Sequence, residues 1–236
     1  MSIADSSSRS QRRAGTFAEL VHELGDIPLD RILVNPAPGT ATEADLLRYL
    51  DEDNLGCELA HGVLVVKTMG LKESVLAGIL VAWINNYLDK NPIGACAGEQ
   101  GICRLLPGLV RAPDVSFISR EQLAKVKDQD FTFAPCAPEL CVEVWSKGNT
   151  RREIDRKIKE YFNDGAKLVW EVFPRKRTGA IYHSPTDMTP VNATATIDGE
   201  DVLPGFRFVL EDLFALTDSR LQGYPEDASD DDEPSP

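Results

Sequence analysis

Residues 139–174 read ELCVEVWSKGNTRREIDRKIKEYFNDGAKLVWEVFP. The apolar run at 139–146 predicts a strand, the charged stretch from Thr150 to Asp164 a helix, and the run at 167–174 a second strand. Together they make a β-α-β unit, with Gly165 as the glycine that stops the helix. Ile154, Ile158, Tyr161 and Phe162 give the helix an apolar face, and Lys157 borders it. Glu143 stands inside the first strand between Val142 and Val144. A carboxylate in so apolar a run costs several kcal/mol if it is buried without a partner or a ligand.

Outward from this unit, APDVSFIS (112–119) places Pro113-Asp114 at the entrance of a short apolar strand, and 93–119 as a whole predicts two or three strands. CELAHGVLVVKT (57–68) predicts a β-hairpin turning at His61-Gly62, with Glu58 on its first arm. Residues 71–90 predict the longest helix, apolar over a wide arc and so packed on more than one side. Nearer the start, TFAELVHEL (16–24) has helical spacing, and TEADLLRYLDED (42–53) predicts a helix capped by Thr42. Between them, residues 25–40 hold three prolines and predict an extended connector. After the β-α-β unit come the strand GAIYHSP (179–185), polar VNATATIDGE, then LPGF and a short helix, LEDLFAL. The organisation expected is one domain over 16–218, with disordered tails at 1–15 and 219–236.

The chain of 236 residues is 42% hydrophobic and 27% charged, with a net charge of −13. Residues 226–236 carry six of the acids and no base, and without them the body still stands at −7. Such a protein is a poor non-specific binder of nucleic acid, so any nucleic-acid role needs a local basic patch or a bound metal. The five cysteines show no CxxC or finger spacing, which suits a reducing compartment. No signal-like segment opens the chain and no apolar run reaches membrane-spanning length, so a cytoplasmic protein without membrane contact is expected.

Two carboxylates on two apolar strands, followed by a helical lysine, suit a divalent metal held against a phosphate. Mg²⁺ takes hard oxygen ligands and keeps several waters, so two or three carboxylates suffice; a metal so held polarises a phosphate and activates water. Asp114, Glu143 and Lys157 fit those parts, and Glu58 offers a further carboxylate. Each has a plainer explanation. Asp114 is a common turn residue after a proline, Glu58 a charge that protects a sheet edge, and Lys157 the exposed ion-pair partner of Glu153 four residues earlier. Glu143 is the hardest to explain away. The histidines (His22, His61, His183) show no ligand spacing, and His61 is simply a turn residue.

The order of CELAHGVLVV, a long helix, APDVSFIS, ELCVEVWS, a lysine-bearing helix, GAKLVWEVFP and LPGF resembles the Uma-type family of restriction endonucleases. That family belongs to the PD-(D/E)xK superfamily, and the likeness spans roughly Glu43 to Leu216. It implies an α/β (α+β) fold, with a mixed β-sheet flanked by helices and an active site at the edge of the central strands. Carried over by position, Asp114 matches the aspartate of the PD motif, Glu143 the acid of the second motif, and Glu58 the acid of the hairpin. Trp145 stands where the usual lysine follows Glu143, and Lys157 falls at the helical position that replaces it. Further departures are Ser146-Lys147-Gly148-Asn149 for Ser-Pro-Ser, Glu153 for an aspartate, and His61 for the aspartate of the turn.

The reading expected is a Mg²⁺-dependent (or Mn²⁺-supported) DNA endonuclease. Asp114, Glu143 and Glu58 hold metal, Lys157 stabilises the transition state, and a homodimer suits double-strand cutting. The rival is a catalytically silent nuclease fold that binds nucleic acid or a protein.

Overall fold

The computed structural model describes residues 15–126 and 132–222. The expected tails lie outside the described residues, apart from Gly15 and residues 219–222, where the last helix continues to Arg220. In chain order the elements are α1 (Phe17–Glu23), a 3₁₀ turn (Leu29–Arg31), α2 (Glu43–Asp51), β1 (Cys57–Ala60), β2 (Val63–Val66) and α3 (Leu71–Leu88). Then follow β3 (Gly94–Gly98), β4 (Cys103–Leu106), β5 (Leu109–Arg111), β6 (Val115–Ser119), α4 (Arg120–Leu123), β7 (Leu140–Val144), α5 (Arg151–Asn163) and β8 (Leu168–Phe173). The chain closes with β9 (Thr178–Ser184), β10 (Asp187–Val191), β11 (Thr196–Asp198), β12 (Arg207–Val209) and α6 (Leu210–Arg220).

The central sheet runs β10-β9-β8-β7-β6-β3. It is mixed: β7 and β8 pair in parallel through the α5 crossover, and the other described neighbours are antiparallel. Alternation along each strand sorts the two faces. Val115, Phe117, Leu140, Val142, Val144, Trp170 and Val172 look toward α3 and α6 and build the larger core. The opposite face carries Cys141, Trp145, Val169 and Phe173, covered by Ile154, Ile158 and Tyr161 of α5. Position by position, Asp114, Ser116, Glu143 and Glu171 fall on this second face. An apolar sheet thus carries a polar strip under α5.

A second sheet, β2-β1-β5-β4, stands beside the first. The chain crosses between them in three residues, from Arg111 at the end of β5 through Ala112-Pro113 to Asp114. The hairpin turns at His61 (φ 54°) and Gly62 (φ 75°), the two consecutive positive values that match strand twist in a tight turn. A Cβ on Gly62 would stand 2.7 Å from the Gly39 backbone, so glycine is also needed there for space.

Three expectations change. Glu58 protects no sheet edge, because β1 lies between β2 and β5 and the residue is 1% exposed. The 93–119 region forms four strands, and polar 186–209 forms three more that the composition hid. The proline-rich connector contains the 3₁₀ turn, and beyond it Ile32 bridges to Val65 and Leu33 N–H donates to Leu64 O at 3.0 Å. Leu24, Ile27 and Ile32 pack on Ala60, Val63 and Val65. Residues two apart share a strand face, so this is also the hairpin face of Glu58.

Candidate active site

The structure brings together the four residues expected from the sequence. Lys157 Nζ lies 3.0 Å from Glu58 Oε1 and 3.1 Å from Glu143 Oε2. The β6–β7 register pairs Val115 with Val142, and Asp114 N–H continues the ladder by donating to Val142 O at 3.0 Å. Asp114 therefore lies across from Glu143 on the same face. Its Oδ2 accepts from the Val144 N–H at 2.7 Å.

Each carboxylate is held by neighbours that its element supplies. Glu58 Oε1 accepts from the Ala112 N–H at 3.0 Å, at the crossing between sheets, and Oε2 pairs with Arg111 at 3.0 Å. Arg111 also reaches Glu160 of α5 at 2.6 Å. Glu143 Oε1 accepts from the Tyr161 hydroxyl at 2.6 Å. Lys157 takes the inner face of α5 together with Glu153, Ile154, Ile158 and Tyr161.

Glu153 is not the partner of Lys157. It turns to Arg31, which grips it with two hydrogen bonds of 2.7 and 2.8 Å. Arg31 also donates to Val66 O (2.9 Å) and Gly148 O (2.7 Å), so one guanidinium ties the hairpin, the β7–α5 loop and α5 together. A fork with five donors suits this bridging, which a lysine could not supply. Gly25 fits against Glu153, where a Cβ would come within 2.6 Å of its backbone, and Gly25 O accepts from the Thr150 hydroxyl. The segment before α2 thus packs against the start of α5.

Burial decides the electrostatics. Glu58, Asp114, Glu143 and Lys157 are all buried. Burial alone would raise the Glu58 carboxyl, but Lys157 and Arg111 overturn that and hold it well below the usual carboxylate range. Glu143 goes the other way. Burial pushes it up to about 7 against the pull of Lys157, with Asp114 and Glu58 adding repulsion. Lys157 is held above its ordinary value by Glu143 and Glu58 despite its burial. One lysine shared by two carboxylates favours the fully charged form of one and leaves the other near neutrality.

Like Arg31 and Arg111, two further neighbours of the site carry no role in the sequence pattern. Lys67, one residue past β2, reaches Asp114 Oδ1 at 2.9 Å; nothing in its local sequence marks it. Glu171 pairs with Glu143 in the parallel register and is 1% exposed. Its signal, an acid in the run VWEVF, is the same one that marked Glu143.

Residues 43–213 match the family model described as "Uma2: Putative restriction endonuclease". The chain belongs to this family. Its fold is similar to a crystal structure described as "a putative nuclease belonging to DUF820 from Anabaena variabilis ATCC 29413", with 18% identity and a TM-score of 0.65. That match covers 75% of this chain and 98% of the other. At this identity the likeness speaks for the nuclease-type fold alone. No curated protein matches the chain. The family match begins at 43, so Arg31 and the segment that carries it lie outside it. No helix among the described residues is long and apolar enough to cross a membrane.

Mg²⁺ is the metal that the sequence led us to expect. Asp114 and Glu143 offer hard oxygens from adjacent strands, and Mg²⁺ needs only one or two carboxylates with water completing its shell. Among the described residues no group of three or more His, Cys, Asp or Glu side chains is arranged to hold a metal ion. The donor set fits a water-rich Mg²⁺ site and does not fit a closed cage of protein ligands. Glu58, with three donors on its two oxygens, is better placed to hold Lys157 than to be a ligand.

Proposed function

We propose that this chain is a Mg²⁺-dependent endonuclease that hydrolyses phosphodiester bonds in DNA. The observation that carries the reading is the convergence of Asp114, Glu143 and Lys157 on one polar strip of an otherwise apolar sheet. Asp114 and Glu143 would hold the metal, with Mn²⁺ as a substitute. When bound, the metal supplies charge to polarise the phosphate and to lower the pKa of the attacking water. Lys157, set between Glu58 and Glu143, donates to a phosphate oxygen as negative charge grows there. Glu58 keeps that ammonium aimed and charged, and Tyr161 fixes the Glu143 carboxylate through Oε1. The site side chains are buried, so a phosphodiester can enter only after the cover over them opens.

A single-turnover assay on double-stranded DNA with Mg²⁺ tests this reading. Cleavage by the parent that Asp114→Ala and Glu143→Ala abolish supports it, and equal cleavage by all three proteins sinks it. The same ion-paired, sealed geometry favours a second reading, a silent nuclease fold that binds nucleic acid or a protein. That reading expects DNA binding without cleavage and no metal binding that depends on Glu143. Sedimentation of the protein with and without DNA tests the homodimer that double-strand cutting would suit.

A further inference from the structure

Lys67 has no part in the mechanism above, yet it touches one of the two residues proposed to hold the metal. Its Nζ donates to Asp114 Oδ1 at 2.9 Å and to Ala112 O at 2.5 Å. The four oxygens of Asp114 and Glu143 are held in different ways. Asp114 Oδ2 takes a backbone N–H, Glu143 Oε1 takes Tyr161, and Glu143 Oε2 takes Lys157, itself locked by Glu58. Asp114 Oδ1 takes Lys67.

The Lys67 side chain is 12% exposed, against 6% for Asp114, 4% for Glu143, 3% for Lys157 and 2% for Glu58. It is the charged group of this cluster with the readiest way out. An ammonium on a four-carbon stem is a mobile, strongly hydrated point charge, unlike the fixed fork of an arginine. It can leave a carboxylate by rotating its own stem, without moving the backbone.

We infer that Lys67 is the resident counter-cation of Asp114, displaced when a divalent cation binds. This rests on the metal reading above. The exchange makes and breaks no covalent bond: the ammonium leaves protonated and swings toward solvent, and Asp114 Oδ1 passes from one cation to the other. Two consequences follow. Without metal, Lys67 quiets the repulsion between two facing carboxylates and stabilises the closed site. With metal, it is released toward solvent, where an approaching phosphate would meet a free positive charge.

The test is calorimetric titration of the full chain with Mg²⁺ alone. Removing the competitor in Lys67→Met should tighten Mg²⁺ binding several-fold, the upper scale of one solvent-accessible ion pair. Lys67→Arg keeps the charge and adds a fork, and should bind Mg²⁺ no more tightly than the parent. Asp114→Asn should abolish binding in both backgrounds. If Lys67→Met binds Mg²⁺ with parental or weaker affinity while Asp114→Asn still abolishes it, the counter-cation assignment is wrong and the metal reading survives. If the parent and Lys67→Met both fail to bind Mg²⁺, the metal reading fails and takes this inference with it. A measurement on the parent avoids any folding defect. Acetylation of Lys67 by an amine-reactive ester, followed by mass spectrometry, should rise several-fold when Mg²⁺ is added. An unchanged rate in a protein that demonstrably binds Mg²⁺ overturns the exchange.

Discussion

Glu143 and Glu171 are neighbours in the parallel register of β7 and β8, both are buried on the face under α5, and each accepts from a tyrosine. Their cations differ. Glu171 is held by Arg151, which reaches both its oxygens while lying 4.8 Å over the Trp145 ring and 5.7 Å over that of Phe173. Glu143 has a single point contact from Lys157, which it shares with Glu58. A forked, stacked arginine fixes a carboxylate in one geometry, whereas a shared lysine leaves it oxygen capacity for something else. Two acids with the same sequence signal are thus separated by their partners, one gripped by a fork and the other sharing a point charge.

The strongest way to break that contrast is to remove each acid in turn. Glu143→Ala should lower single-turnover cleavage by roughly 10³-fold or more, the scale on which losing one member of a catalytic set is felt. Glu171→Gln should leave cleavage within a few-fold and instead lower stability, by about 3 kcal/mol. That is the low end for breaking a buried pair, because Arg151 stays 30% exposed and keeps some water. If Glu171→Gln abolishes cleavage with the fold intact, the division of labour is wrong.

The cations sharpen the contrast next. Lys157→Met should cost on the order of 10²–10³-fold in rate, as for losing one donor to a developing oxyanion. Arg151→Lys, which keeps the charge but loses the fork and the better part of the ring stacking, should cost about 1 kcal/mol in urea unfolding and little in rate. Reversed results, with Arg151→Lys slow and Lys157→Met merely unstable, would exchange the two roles.

How much of this was legible beforehand depended on range. The β-α-β unit was legible because two apolar runs flank an amphipathic helix, a pattern complete within 36 residues. Glu143 stood out because burial of its strand follows from its own neighbours. Glu171 carries the same signal, and without partners in view nothing in the sequence ranks one acid against the other. Lys157 was legible as a helix position, but its partner was not: Glu153, four residues away, binds Arg31 across 122 positions of sequence. Arg31 itself sat in a segment whose prolines suggested only a connector. Lys67 is an ordinary lysine after a hairpin until the fold lays that hairpin against the β5–β6 crossing. Strands β10 to β12 stayed hidden because edge and outer strands lack the apolar alternation that marks a buried one.

The smallest effect expected lies in the pH dependence of the metal-free protein. Glu143 titrates near 7 in the fold, raised by burial, against an ordinary value of about 4.3 when unfolded. Between those values the folded state binds the extra proton, so stability is gained as pH falls and lost as pH rises through 7. From pH 6 to pH 8 the loss from this one group should be about 1 kcal/mol, read as a falling urea midpoint. Glu143→Gln cannot ionise and should flatten that slope. A slope that survives in Glu143→Gln undiminished would assign the proton elsewhere. Glu171 is then the first group to test, since burial also pushes its carboxyl up despite Arg151.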